Sequence, residues 1–233
     1  MFIEAEDRSR ILILLACDGV GGLPGGRDCS KQLLEGLSKQ LVETAKQFGR
    51  KLFFRNGINN FKKSFESINV EPGTGASVMA LMLVCLDRFY DGYRGLLAWA
   101  GVGRVLVLDS DGYYRRLTTD HHDEDKNITA CFFLNDGLFH GGPDYSPFLY
   151  RRLPLAFGVS TDGVHGKCRE DALERFLAWC LLEPPLSDED FVALVSRFIS
   201  TNISDNYSMA LALRSERLPK IKLTDILQRT VSK

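Results

Sequence analysis

The sequence predicts a single α+β domain in which antiparallel β-sheets are covered by helices. Three observations point to this class: strand patterns occur near both ends and in the middle of the chain, helical patterns are inserted in pairs, and no repeat or linker divides the sequence. A length of 233 residues is ordinary for one large domain. We therefore treat residues 1–233 as one unit.

The composition is that of a globular protein, with 45% hydrophobic and 25% charged residues. The formal net charge of −1 provides no chain-wide positive field for nucleic acid or an anionic membrane. The longest apolar run, residues 11–17, is too short to span a bilayer, and no signal-peptide pattern precedes it. We expect a cytoplasmic monomer that binds neither nucleic acid nor membrane.

The six cysteines are widely spaced, and no CxxC pair occurs. This spacing argues against both a zinc site and a disulfide framework. Most of the cysteines lie in apolar stretches, so we expect reduced core residues in a reducing compartment.

The first elements are a buried strand and two helices. Residues 11–16 form a continuous apolar run before a glycine-rich loop, which favours a strand buried on both faces. Leucines at helical spacing predict a helix over residues 30–48, with Gly49 as its stop signal. Phenylalanines and isoleucines at the same spacing predict a second helix near residues 54–68.

Strand patterns dominate the rest of the chain. An Asp-Ser-Asp-Gly sequence at residues 109–112 is a strong hairpin turn signal. Two further helices are expected over residues 170–182 and 188–199, the second with Ser187 as its N-cap. Strands are expected over residues 77–86, 95–100, 104–108, 113–117, 155–160 and 207–214.

Three aspartates share one setting at the ends of strands. Asp18 and Asp162 each follow a predicted strand and precede a glycine, and Asp205 opens the last strand. A carboxylate on a rigid strand end that faces solvent suits a hard divalent cation, and the following glycine can expose its carbonyl as a further ligand. Each aspartate alone is more simply a turn residue, so the metal hypothesis depends on all three.

Seven ordered blocks resemble the metal-dependent protein serine/threonine phosphatases of the protein phosphatase 2C type, the PPM family. Three carry the aspartates: ACDGVGG at 16–22 resembles the family's DGxGG loop, STDG at 160–163 its SDG block, and DN at 205–206 its final DN. The other four blocks are GGRDCS at 25–30, GTGA at 73–76, AWAGVGR at 98–104 and LTTDHH at 117–122. The compact DGVGG form is more similar to bacterial members.

This resemblance implies a four-layer α-β-β-α sandwich with a binuclear Mn²⁺ or Mg²⁺ centre between the sheets at one end. By the family's pattern, Asp18 would bridge both ions, Asp162 and Asp205 would complete the first, and the Gly19 carbonyl would serve the second. These three aspartates would carry catalysis. Two cations about 3.5–4 Å apart can lower the pKa of a bridging water and neutralise charge on a phosphoryl group, so no nucleophilic side chain is required.

The chain departs from the family pattern near its N-terminus. Glu6-Asp7 is the one plausible match to the family's acidic pair, so Asp7 is expected as a metal ligand and Glu6 as an additional candidate. The alternative is a frayed acidic N-terminus. The family's phosphate-clamping arginine falls on an apolar residue here, which leaves Arg8 or Arg10 as substitutes in a different geometry.

Other departures concern a third metal site and the general acid. Val102 replaces the aspartate of the family's GDSR strand, and Gly166 stands four residues after Asp162, where many members have aspartate. We therefore expect no third metal. Val20 stands where some members have a histidine proposed as general acid, and residues 123–152 resemble a shortened form of the family's mobile flap.

The implied function is hydrolysis of phosphoserine or phosphothreonine in a protein substrate, in a system with a cognate serine/threonine kinase. The first alternative is a catalytically impaired phosphatase fold that senses or binds a partner, motivated by the missing arginine and third-metal aspartate. The second alternative is a metal-dependent hydrolase of small phosphoesters.

Overall fold

The computed structural model describes residues 1–66, 68–125, 127–162, 172, 176, 179–180, 187–202 and 208–214. These residues form eleven strands, three α-helices and one 3-10 helix. In chain order they are β1 (Phe2–Glu4), β2 (Arg10–Gly19), α1 (Gly26–Phe48), the 3-10 helix (Gly49–Phe53), α2 (Gly57–Glu66), β3 (Ala76–Cys85), β4 (Tyr93–Ala100), β5 (Arg104–Leu108), β6 (Tyr114–Arg116), β7 (Cys131–Phe133), β8 (Leu138–His140), β9 (Asp144–Tyr150), β10 (Ala156–Ser160), α3 (Asp188–Asn202) and β11 (Met209–Leu213).

The strands form two antiparallel sheets. The first has the order β1-β2-β3-β4-β9, with β7 added beside β3 and β8 beside β7, and the second has the order β11-β10-β5-β6. All the strand pairs are antiparallel. The predicted α+β class with two antiparallel sheets is confirmed.

The sheets pack face to face, and helices cover their outer faces. In β2, Ile11 and Ile13 point to the core under α1 and α2, whereas Leu12 and Leu14 point to the core between the sheets. This two-sided burial explains why the segment is a continuous apolar run rather than an alternating one. Phe198 of α3 packs on the outer face of the second sheet. The described residues therefore contain all four layers of the predicted α-β-β-α sandwich.

The predicted helices are confirmed where the structure describes them, with shifted ends. The helix expected from residue 30 begins four residues earlier, at Gly26, and ends at Phe48, followed by Gly49 with a φ of 50°. The segment after it is a 3-10 helix followed by α2 rather than one helix from residue 54. The Ser187 hydroxyl accepts a hydrogen bond of 3.1 Å from the Asp190 amide, which confirms it as the cap of α3. Most of the helix expected over 170–182 lies outside the described residues.

Residues 123–152 are not a flap but contribute three strands to the first sheet. β9 pairs along β4 from Tyr93–Tyr150 to Trp99–Asp144, and β7 pairs with β3. The sequence obscures β9 because Pro147 interrupts it. Proline is tolerated there because β9 is an edge strand, where one side of the backbone has no ladder partner to satisfy.

Five cysteines are free and buried, as predicted for reduced core residues. Cys168 lies outside the described residues. Burial raises the pKa of the Cys85 thiol to about 11, and that of the Cys29 thiol also to about 11, so both are protonated near neutral pH. Among the described residues, no helix is long and apolar enough to cross a membrane.

Candidate active site

Asp18 lies near the end of β2, at the edge of the space between the two sheets. Its Oδ1 accepts a hydrogen bond from the Gly19 amide at 2.9 Å, and its Oδ2 accepts one from the Thr161 hydroxyl at 3.0 Å. The Ser77 hydroxyl, on the neighbouring strand β3, donates to the Asp18 carbonyl at 2.8 Å. Donors from both sheets therefore hold the Asp18 carboxylate, in addition to the donor that holds the Asp18 backbone carbonyl.

Asp162 lies at the same end of the sandwich, because it follows Thr161 directly at the end of β10. Thr161 is tied to the second sheet as well: its amide donates to the Ser208 carbonyl at 3.0 Å, and its hydroxyl accepts from the Ser208 amide at 3.0 Å. Asp162 itself is exposed. Asp205 lies outside the described residues, three positions before Ser208 in the sequence, and so does Gly166.

The predicted ligands described at this end are all hard oxygen donors. They comprise two carboxylates, from Asp18 and Asp162, and the Gly19 carbonyl. Oxygen donors of this kind are what Mn²⁺ and Mg²⁺ prefer, so the donor set fits a divalent cation in kind. Within the described part of the chain, no three His, Cys, Asp or Glu side chains converge as a complete metal site.

A cavity of about 770 Å³ opens beside Asp18. Its wall consists of the end of β2, the glycine-rich loop that follows, the first turn of α1 and Ser208 from the second sheet. Only one cationic side chain, that of Arg27, lines it among the described residues. The cavity is thus polar, joins both sheets and has room for a phosphate group.

Close backbone contacts explain the glycines around this cavity. A Cβ on Gly19 would lie 2.4 Å from the carbonyl carbon of Gly26, and a Cβ on Gly25 would lie 2.1 Å from the Thr74 carbonyl oxygen. A Cβ on Gly75 would lie 2.5 Å from the carbonyl carbon of Gly25. Three separate backbone segments meet here without space for side chains, which explains why Gly19, Gly25 and Gly75 are glycines.

The structure does not bring Asp7 or Glu6 to this site, which corrects the expectation that Asp7 is a metal ligand. Asp7 lies in the turn between β1 and β2, whereas Asp18 lies near the far end of β2. The rise per residue of a β-strand places the two residues about 30 Å apart. The Asp7 carboxylate accepts hydrogen bonds from the Ser9 amide at 3.0 Å and the Arg50 amide at 2.9 Å. The Glu6 amide donates to the Lys46 carbonyl at the same end.

The two arginines considered as substitutes for the phosphate-binding arginine also lie at the start of β2, away from Asp18. Arg10 forms an ion pair with Asp87 at 2.9 Å, and Arg8 stands in the β1–β2 turn with a φ of 61°. Arg27, to which sequence reasoning gave no role, instead lines the cavity beside Asp18. The signal was available, because Arg27 follows the Gly25-Gly26 pair directly at the start of the first helix.

The LTTDHH block forms a network of ion pairs and hydrogen bonds at the end of the sandwich that contains Asp18. The Asp120 carboxylate pairs with both Arg104, at 2.9 Å, and Arg116. Burial alone would raise the pKa of Asp120, but the two guanidinium groups outweigh it and lower the pKa. His121 Nε2 lies 3.1 Å from an Asp144 oxygen. The block therefore ties the β5–β6 region to β9, which is a structural role.

Two antiparallel sheets between layers of helices are the architecture of the protein phosphatase 2C-type phosphatases. No family model and no curated protein matches the chain. Solved structures do match, among them bacterial serine/threonine phosphatases, which confirms the predicted resemblance at the level of the fold.

The serine/threonine phosphatase Stp1 from Staphylococcus aureus aligns with a TM-score of 0.60 and 18% identity, over 93% of this chain and 88% of that one. The S. agalactiae serine/threonine phosphatase aligns with a TM-score of 0.61 and 16% identity, over 92% and 91%. The Mycobacterium tuberculosis phosphatase PstP/Ppp aligns with a TM-score of 0.54 and 14% identity, over 88% of each chain. At these identities the likeness establishes the fold alone.

Proposed function

We propose that this chain is a metal-dependent phosphoprotein phosphatase that hydrolyses phosphoserine or phosphothreonine. Asp18, Asp162 and Asp205, with the Gly19 carbonyl, would hold two Mn²⁺ or Mg²⁺ ions. The observation that carries the proposal is the Asp18 carboxylate, which is oriented by Gly19 and Thr161 beside a cavity bounded by both sheets. A phosphorylated protein is the proposed substrate because the structural neighbours are serine/threonine phosphatases.

The residues of the chain divide the work in this proposal. When bound, the two cations supply an activated water and neutralise charge on the phosphoryl group. The chain orients the Asp18 carboxylate, because the Gly19 amide and the Thr161 hydroxyl donate to it, and the Ser77 hydroxyl holds the Asp18 carbonyl. Five glycines of the β2–α1 region contribute no side chains to the wall of the cavity beside Asp18, which leaves room for a phosphate group to approach.

Mn²⁺-dependent hydrolysis of p-nitrophenyl phosphate and of a phosphothreonine peptide tests the proposal. We expect wild-type activity that is lost in Asp18→Asn and in Asp162→Asn. Asp111→Asn is the matched control, because Asp111 is an exposed aspartate in the hairpin turn at the opposite end of the second sheet. Wild-type inactivity with every divalent metal, or equal activity in all three variants, would contradict the proposal.

A second candidate, a phosphatase fold that binds a partner without efficient turnover, is favoured by one observation. Asp7, Arg8 and Arg10, the acidic and basic residues closest to the family's N-terminal pattern, all lie at the end away from Asp18. Calorimetric titration with Mn²⁺ separates the two functions: metal binding without turnover of phosphopeptides supports the binding module. Turnover of nucleotides or sugar phosphates in preference to phosphopeptides would support a small-phosphoester hydrolase.

A further inference from the structure

Arg27 is the second residue of α1, and its exposed side chain stands at the cavity that contains Asp18. The cavity wall contains glycines, the apolar side chains of Val20 and Leu23, and the Asp18 carboxylate, but only one cationic side chain among the described residues. The Arg27 carbonyl accepts a bond from the Ser30 hydroxyl at 3.0 Å, which is a backbone contact. Among the described contacts, none therefore ties the Arg27 guanidinium to another part of the protein.

The neighbouring basic residues are engaged elsewhere. Arg104 and Arg116 both pair with Asp120, and Arg10 pairs with Asp87 at the opposite end of β2. Lys31, one turn after Arg27 on the same helix, lines a separate cavity of about 780 Å³. Arg27 is thus the one described cation with direct access to the space beside Asp18.

The charge of the proposed substrate favours such a group, in addition to the bound cations. A phosphate monoester carries close to two negative charges at neutral pH, and it must enter a cavity that already contains the Asp18 carboxylate. A guanidinium presents paired N–H donors that match two phosphate oxygens. The N-terminal end of α1, a helix of 23 residues, faces the same space and adds a favourable field for an anion.

We propose that Arg27 is the phosphate-binding residue of this site, an inference that rests on the proposed function. It donates hydrogen bonds to the non-bridging oxygens of the phosphoryl group and orients that group toward the carboxylates of the strand ends. The N-terminal arginines cannot do this from the opposite end of β2. In this chain the phosphate-binding cation therefore comes from the start of the first helix.

Three variants test this role. Arg27→Met removes the guanidinium, Arg27→Lys keeps the charge without the paired donors, and Lys31→Met is the control on the same helix outside the cavity. In saturating Mn²⁺ we expect Arg27→Met to raise both the phosphate inhibition constant and the KM for a phosphothreonine peptide about tenfold, equivalent to about 1.4 kcal/mol. Arg27→Lys should recover part of the loss, and Lys31→Met should match wild type.

Two further measurements separate phosphate binding from other causes. Calorimetry should give the same Mn²⁺ affinity for Arg27→Met and wild type, and a parallel loss of Mn²⁺ affinity would overturn the inference. Unchanged KM and phosphate inhibition in Arg27→Met would also overturn it, while wild-type turnover leaves the phosphatase function intact. If wild type shows no turnover, the proposed function fails. Titration of inorganic phosphate into the Mn²⁺-loaded protein then tests Arg27 by itself. Weaker phosphate binding by Arg27→Met than by wild type supports the inference, and equal binding overturns it.

Discussion

The hydroxyl of Thr161 is the most informative single group to remove, because it joins the two sheets at the candidate site. Thr161 is fully buried, with 0% exposure. Its Oγ1 donates to Asp18 Oδ2 at 3.0 Å and accepts from the Ser208 amide at 3.0 Å. Thr161→Val keeps the shape of the side chain and deletes both hydrogen bonds.

The expected loss follows from these two bonds. A hydrogen bond to a charged group contributes about 1.5–3 kcal/mol, and a donor left without a partner costs about 1–3 kcal/mol. Asp18 is only partly buried, so water can replace part of the lost bond and the lower ends of both ranges apply. We therefore expect Thr161→Val to lower the free energy of unfolding by about 2–3 kcal/mol, or the melting temperature by about 4–12 °C for a chain of this size.

Urea denaturation followed by circular dichroism measures the change, and Thr161→Ser is the control. Serine keeps the hydroxyl and loses one methyl group, worth about 0.8 kcal/mol. Valine should therefore be clearly less stable than serine, and it should also bind Mn²⁺ more weakly, because the Asp18 carboxylate loses a donor that orients it. Equal stability of the two variants would refute the idea that this hydroxyl links the sheets.

Three more predictions concern stability. Gly25→Ala should cost about 2 kcal/mol or more, because Gly25 has a φ of 78° and its new Cβ would meet a backbone carbonyl, whereas Gly21→Ala, with nothing within 4 Å, should change the unfolding free energy by less than about 0.5 kcal/mol. Asp120→Asn should cost about 1–2 kcal/mol at pH 7. Because folding lowers the pKa of Asp120, this stabilisation is complete above its unfolded pKa of about 3.9 and is lost as the pH falls through the lower folded value, so unfolding curves of wild type and variant should converge below about pH 4. Asp7→Asn should lower stability by about 1 kcal/mol through its bond to the Arg50 amide and leave calorimetric Mn²⁺ affinity unchanged, whereas a large loss of affinity would restore Asp7 as a ligand.

The sequence was sufficient for the fold where one local pattern decided the structure. The run in β2 is buried on both faces, and leucines at helical spacing defined the buried stripe of α1. It was insufficient where tertiary pairing overrides local preference. β9 contains Pro147, and only its position at the edge of the first sheet makes that proline acceptable. The start of α1 was misplaced because glycines at 25 and 26 resemble a loop, although close packing against Gly19 and Thr74 requires them.

The shared location of two candidate residues was predicted where a glycine follows an aspartate, whereas the sequence blocks that contain Thr161 and Arg27 assign those two residues no role. Asp18 and Asp162 do lie at one end of the sandwich, as their shared position after buried strands predicted. Thr161 carries the bond between the sheets, yet its hydroxyl resembles any threonine at a strand end. Arg27 lies within the GGRDCS block, but that block assigns it no role, and only the cavity places it beside Asp18. Packing between distant segments, which no local pattern encodes, brings both residues close to Asp18.

Chain connectivity alone decides which N-terminal residues can reach Asp18. Asp7 and Asp18 are eleven positions apart, and almost all of the intervening residues form the straight strand β2, so their separation is fixed at about 30 Å. Arg27 is nine positions from Asp18, but the intervening residues form a loop that reverses the chain, so the start of α1 returns to the end of β2. Similar spacing therefore gives opposite outcomes. An extended apolar run between two acids excludes a shared metal, whereas a glycine-rich reversal brings an acid and a base to one site.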